Sequence, residues 1–167
     1  MDADAGATTN RSAGPARLAG SLEAASAFIR AAGLVVDEVT ASRVTGHLQL
    51  SQEHHTPWGI VHGGVYTTAI ESAASIGASS AVRDQGQVAV GLTNTTHFLR
   101  SLTAGRADVE AVALSQGRTQ QLWQVDITDE SGRLIAHGEV RLQNVAGRQA
   151  GPVSVRHRGQ VEPGEPM

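Results

Sequence analysis

Apolar positions in this chain change period twice, and the changes mark its elements. Residues 34–41 and 43–51 alternate loosely, with Val44, Gly46, Leu48 and Leu50 on one face, which predicts a hairpin. Residues 52–61 hold Pro57 and Gly59 and predict a loop. From Gly63 or Gly64 to about Val82 small and apolar residues run with no breaker before Gly77, predicting one long helix. Four further strands are predicted over 87–99, 106–115, 118–128 and 133–145. They are joined at Thr103-Ala-Gly105, Gln116-Gly117 and Asp129-Glu-Ser-Gly132, the last two of which read as hairpin turns. Ahead of all this, Ser21 is read as the cap of a short helix with a Leu22, Ala25, Phe28, Ile29 stripe that stops at Gly33. A helix, two strands, a long helix and four strands give an antiparallel sheet with a helix against one face, an α+β fold.

The chain has 167 residues, enough for one domain with a real core, which we expect over 21–146. Residues 1–20 and the stretch from Gly147 to 167 lack periodicity and are rich in small residues or in Gly, Pro, Arg and Gln. They are expected to be a disordered arm and a disordered tail. Apolar content is 40 %, much of it Ala and Val, with 3 % aromatics. Side chains this small suit close packing of a helix on a sheet and leave room for an oligomer to add burial. A net charge of −3 gives no reason to expect nucleic acid or an anionic membrane as partner. The absence of cysteine excludes a disulfide framework, a thiolate nucleophile and an iron–sulfur site. No secretory signal or stretch of transmembrane length is read, so a cytoplasmic location is expected.

Candidate chemistry is concentrated between His54 and Ser75. A helix opened by His62-Gly63-Gly64 presents unpaired backbone N–H groups at its positive end, where a carbonyl oxygen or anion would be stabilised. The plainer reading is a glycine-rich helix start chosen for tight packing. Glu71 stands nine positions after His62 among Ala, Ile, Ser and Thr, with Thr67, Thr68, Ala74 and Ser75 as its helical neighbours. It is either a solvated carboxylate or a group working in a cleft. Eight residues separate it from Gly63, roughly 12 Å along the axis at 1.5 Å per residue, so one helix cannot bring both to one carbonyl. Their cooperation would need another subunit's helix start, at a two-fold interface. Ser75, one turn on, could hold a water or steer the carboxylate, or simply pack. His54, His55 and His62 have no acidic or thiol partner at ligand spacing, so no metal site is expected. Tyr66 and Trp58 are read as packing residues. No G-x-S-x-G elbow, P-loop or dinucleotide fingerprint is present.

The stretch Trp58-Gly-Ile-Val-His62-Gly63-Gly64-Val-Tyr66 followed by Glu71 resembles the hotdog-fold acyl-CoA thioesterases of the phenylacetate-pathway type, and within them the branch containing 4-hydroxybenzoyl-CoA thioesterase with a glutamate catalyst. The likeness runs over residues 33–145 and includes Val90 to Arg100, Gly117-Arg118-Thr119 and Trp123 before the Gly132 turn. It implies a long helix wrapped by a curved antiparallel sheet, dimers with a continuous sheet and a homotetramer of two dimers. It further implies acyl-CoA as substrate, hydrolysed to a carboxylic acid and free CoA, with no cofactor beyond the CoA of the substrate. By position, Glu71 would be the nucleophile or general base, and the Gly63 amide of the facing subunit, with Gly64 beside it, would polarise the thioester carbonyl. Ser75 would stand near the attacking group and His62 would shape the helix start. Asn94, Arg100, Arg118 and Thr119 would lie near the pantetheine or nucleotide. Thr56 occupies the place where the aromatic-CoA branch carries a Gln near the carbonyl, and Ser75 replaces a Thr. Two other classes stay open on this fold: a hydratase or dehydratase acting on the acyl chain, and a non-catalytic acyl-CoA sensor.

Overall fold

A computed structural model describes residues 26–147. The expected arm over 1–20 and the tail beyond Gly147 lie outside the described residues, as do Ser21, Leu22 and Ala25. The first described helix, α1 (Ala27–Ala32), is capped by Ser26. Ser26 Oγ accepts from the Ile29 N–H at 3.4 Å, and Gly33, in the left-handed region at φ 75°, ends the helix by donating to Arg30 O.

Strands β1 (Leu34–Val39) and β2 (Arg43–Leu50) form the expected hairpin, with Val39 opposite Val44 and a bulge between Val36 and Glu38. Thr40 makes the corner: its hydroxyl accepts from the Ser42 and Arg43 N–H groups. The Val44, Gly46, Leu48, Leu50 face of β2 is buried as its alternation requires. Helix α2 (Gly63–Val82) follows, then β3 (Gln87–Phe98), β4 (Gly105–Gln116), β5 (Gln120–Asp129) and β6 (Leu134–Ala146). Strand β5 begins at Gln120, two residues later than expected. The Gly117 and Arg118 carbonyls are turned to the Asn144 side chain and do not enter a strand ladder.

The six strands form one antiparallel sheet in the order β1-β2-β4-β5-β6-β3. Helix α2 lies on one face of the sheet with Tyr66, Ala69, Ile70, Ala73, Ala74, Gly77, Ala78 and Val82 buried. They pack on Leu48, Val109, Trp123, Val125, Ile127, Val140 and Leu142. Small residues on this helix face let it sit close: a Cβ on Gly77 would stand 2.5 Å from Trp123 Cη2. Each large side chain buried here contributes roughly 1.5–3 kcal/mol, so the sheet, more than intrinsic propensity, holds the helix in place. Strand β3 is an edge, paired to β6 alone, and it carries exposed Val88, Val90, Leu92 and Phe98. No described helix is long and apolar enough to cross a membrane.

Candidate active site

The loop before α2 is pinned from both ends. Ser51 caps the 3-10 turn Gln52–His54 through its hydroxyl, and its own N–H donates to His54 Nδ1 at 3.2 Å. The His55 ring meets Thr103 O at 2.5 Å, Val61 N–H donates to Leu102 O, and His62 N–H donates to His54 O. These bonds tie the segment to the β3–β4 connection and deliver His62 to the helix start. His62 is the N-cap, its Nδ1 accepting from the Gly64 N–H at 2.8 Å. That consumes one of the orphan donors of the first turn. The neighbouring Gly63 N–H has no acceptor among the described residues. Gly63 is also where the backbone approaches Phe98, since a Cβ there would lie 2.9 Å from Phe98 Cζ.

Grooves flank this helix tip on both sides. One, of about 510 Å³, is walled by Phe28, Ala31 and Ala32 of α1 together with His54, Val65, Thr67 and Thr68. The other, of about 550 Å³, is lined by Thr56, Trp58, Gly63, Tyr66, Phe98 and Arg100. Both fall in the size range of small-molecule sites. Tyr66 packs inside as expected; burial pushes its phenol up to about 12, and the hydroxyl has no partner among the described residues. Trp58 does not pack. It stands 83 % exposed at the rim of the second groove, on the turn closed by the Thr56 N–H donating to Ile60 O.

Glu71 is half-buried on the α2 flank that faces β3. Asn94 of β3 donates from Nδ2 to Glu71 Oε2 at 3.0 Å and to Thr67 O at 3.3 Å. The Thr96 hydroxyl donates to Asn94 Oδ1 at 2.8 Å, which fixes which end of the amide meets the carboxylate. A Cβ on Gly91 would come within 2.3 Å of Glu71 Oε1, so only glycine leaves that oxygen its place. One strand therefore bonds one carboxylate oxygen and leaves room for the other. Asn94, which the resemblance associates with pantetheine or nucleotide, sits on Glu71 itself. Sequence reasoning did not link Gly91, Asn94 and Thr96 to the carboxylate. The available signal was a glycine three residues before an asparagine on a strand otherwise rich in β-branched residues.

The remaining candidates spread along the molecule. Ser75 is half-buried one turn beyond Glu71. Arg100 lies in the second groove, with Nη1 donating to Leu134 O at 2.5 Å and its backbone N–H to Ile135 O. Thr56 stays in that groove, its hydroxyl accepting from Trp58 N–H. Arg118 and Thr119 are exposed in the β4–β5 turn, which is tied through Gln121 to Ala78 O near the other end of α2. Ala78 is fifteen residues past Gly63, about 22 Å along the axis. Within the chain the helix tip, Glu71 and the Arg118 turn thus stand in line along one helix and do not converge.

Comparison with known proteins bears on the fold and the family. Residues 59–136 match the family model described as Thioesterase superfamily. Rv1847 of Mycobacterium tuberculosis is 47 % identical over 92 residues, which cover 54 % of this chain and 66 % of that protein. Its solved structure superposes with a TM-score of 0.70 at 40 % identity, covering 72 % of this chain and 98 % of that one. A 1,4-dihydroxy-2-naphthoyl-CoA hydrolase of Listeria monocytogenes is 32 % identical over 103 residues, 62 % of this chain and 83 % of the relative. A 1,4-dihydroxy-2-naphthoyl-CoA thioesterase of Arabidopsis thaliana is 34 % identical over 94 residues, 56 % of this chain and 59 % of the relative. With a long helix laid on a six-stranded antiparallel sheet and relatives of this kind across most of its folded length, the chain belongs to the thioesterase superfamily.

Proposed function

We propose that this protein hydrolyses an acyl-CoA thioester to a carboxylic acid and free CoA, with Glu71 as its nucleophile or general base. The observation that carries this is the clamp on Glu71: Asn94 holds one carboxylate oxygen and Gly91 clears space for the other. A solvated surface carboxylate needs neither. The second part is the open Gly63 N–H at a helix N-terminus, a donor aimed where negative charge develops on a thioester carbonyl.

The distance between the two parts calls for a homodimer. Pairing of two β3 edges would continue the sheet and cover Val88, Val90 and Leu92. With the two helices antiparallel, Glu71 of one protomer would face Gly63 of the other, and the Arg118 turn of the first would approach the same groove. Two such dimers would complete a homotetramer. Glu71 then either attacks the carbonyl carbon, expelling CoA thiolate and forming a mixed anhydride that water opens, or takes a proton from a water held by Ser75. Neither route asks for a metal or an organic cofactor. His62 uses Nδ1 in its own helix cap, which favours hydrolysis over a His-dependent hydratase. The CoA-ester relatives named above make aromatic acyl groups the first class to screen.

The test is release of free thiol from aromatic, short-chain and long-chain CoA esters. Glu71→Gln is expected to lower kcat on the order of 10³-fold, the range of a lost general base or nucleophile, with the fold intact. Turnover within tenfold of the wild type would remove Glu71 from the chemistry.

A further inference from the structure

Helix α1 builds one wall of the groove of about 510 Å³ beside the α2 tip. Phe28, Ala31 and Ala32 stand at i, i+3 and i+4, one face of a helix, and all three line it. The two alanines leave the groove open. The one large side chain of this wall, Phe28, is 68 % exposed. Val65 and Thr68 of α2 line the groove as well. Its polar groups are mostly engaged within the protein. The Thr68 hydroxyl donates to Gly64 O at 2.7 Å, and His62 Nδ1 accepts from the Gly64 N–H. His54 Nδ1 accepts from the Ser51 N–H, and the His55 ring meets Thr103 O. What is left to face an occupant is largely hydrocarbon, a lining that favours an apolar group. The exposed carboxylate on this groove, Glu53, is of the wrong sign for an anion.

His62 and Gly64 line both this groove and the one that carries Arg100, so the helix tip divides the two. A thioester whose carbonyl oxygen meets the Gly63 N–H has a trigonal carbon there, and its acyl chain and its sulfur leave in different directions. Charge sorts them: CoA is an anion, which Arg100 attracts and Glu53 repels. The acyl group is left with the α1 groove. Helix α1 has a definite heading along it. Its C-terminal end lies at the tip loop, since a Cβ on Gly33 would stand 3.4 Å from His54 Nε2 and His54 O accepts from the His62 N–H. Phe28 is four residues before Ala32, about 6 Å further along α1, at the end remote from the thioester. We infer that the α1 groove is the acyl subsite and that Phe28 closes its far end, selecting apolar acyl groups short enough to stop at the ring. This rests on the thioesterase reading above and deepens it to the acyl group.

The experiment measures thiol release from two ladders of CoA esters, one straight-chain and one ending in a phenyl ring. It reads the ratio of kcat/KM for a long to a short member: decanoyl-CoA to hexanoyl-CoA, and 6-phenylhexanoyl-CoA to 3-phenylpropanoyl-CoA. In whichever ladder is turned over, Phe28→Ala is expected to raise this ratio about tenfold, the scale of a methylene admitted to or refused by an apolar pocket. Phe28→Trp should lower it by about threefold or more. A merely structural role would move both members of a ladder together and leave the ratio alone. With the Phe28 ring largely in solvent, neither substitution should alter the melting curve. Trp58→Ala, on the other groove, should leave the ratio within about twofold. The inference is overturned by a Phe28→Ala ratio within about threefold of wild type or by a ratio that both Phe28 variants move the same way. A Trp58→Ala shift as large as that of Phe28→Ala would also overturn it. In each of these cases thiol release leaves the thioesterase reading standing. Release from no ester of either ladder would strike at that reading and take this inference with it.

Discussion

Replacing Gly91 with alanine should move Glu71 without altering it. Gly91 lies on β3 just before the bulge at Leu92, opposite Glu71 Oε1. The new Cβ would stand 2.3 Å from that oxygen, about 1.1 Å short of ordinary contact at 3.4 Å. Either the strand or the carboxylate must give way. The strand is fastened to β6 along eleven register pairs. The carboxylate is the end of a side chain whose hydrogen bond to Asn94, at 3.0 Å, is worth about 1.5–3 kcal/mol. The side chain is the softer of the two, so the carboxylate swings by about 1 Å. A displacement of that size at a reacting group costs about 10²-fold in rate, or about 2.7 kcal/mol of barrier. The expected outcome is a hundredfold fall in kcat measured by thiol release, with KM changed less than threefold. Because the adjustment is made at a half-buried side-chain end, the melting temperature should fall by no more than about 5 °C. Turnover within threefold of wild type would refute the reasoning, since in the role proposed for Glu71 a carboxylate displaced this far cannot keep its rate.

Two further outcomes concern stability. Gly77→Ala places a Cβ 2.5 Å from Trp123 Cη2 and 2.9 Å from Val44 Cγ2, both in the packed core, and overpacking of this kind costs about 1–3 kcal/mol or more; chemical denaturation should show a lower midpoint with an unchanged slope. Asp129 caps the β5–β6 turn, accepting from Ser131 and from the Arg133 backbone and guanidinium, and Arg133 above all holds its carboxyl well below the usual carboxylate range. A depressed value means that its contribution is complete above the unfolded value of 3.8 and is lost as the pH falls below it. Asp129→Asn should therefore lower the melting temperature at pH 7 and flatten its decline below about pH 4; an acid limb identical to the wild type would contradict this.

Local patterning determined a great deal. Alternation in β2, the two hairpin turns at Gln116-Gly117 and Asp129–Gly132, and the unbroken run after His62 each state which residues share a face. A face is a property of a few consecutive residues and their period. The elements therefore stand within one or two residues of their expected bounds. The widest shifts, of two residues, are at the end of β1 and at the start of β5, where Asn144 captures the turn. Candidate chemistry at His62, Gly63 and Glu71 was legible for the same reason, because helical spacing alone sets their separation.

Tertiary structure decided what no period contains, namely which segments become neighbours. Strand β3 pairs with β6 and not with β4, its successor, while β2 pairs with β4 across the whole of α2 and β3. That order puts Asn94 and Gly91 on Glu71, twenty or more residues away in sequence, and leaves β3 as a free edge. It also brings Asn144 to the Arg118 turn. Such contacts follow from the mutual fit of the whole sheet on one helix, where burial is shared among distant strands, and a local repeat carries no record of them.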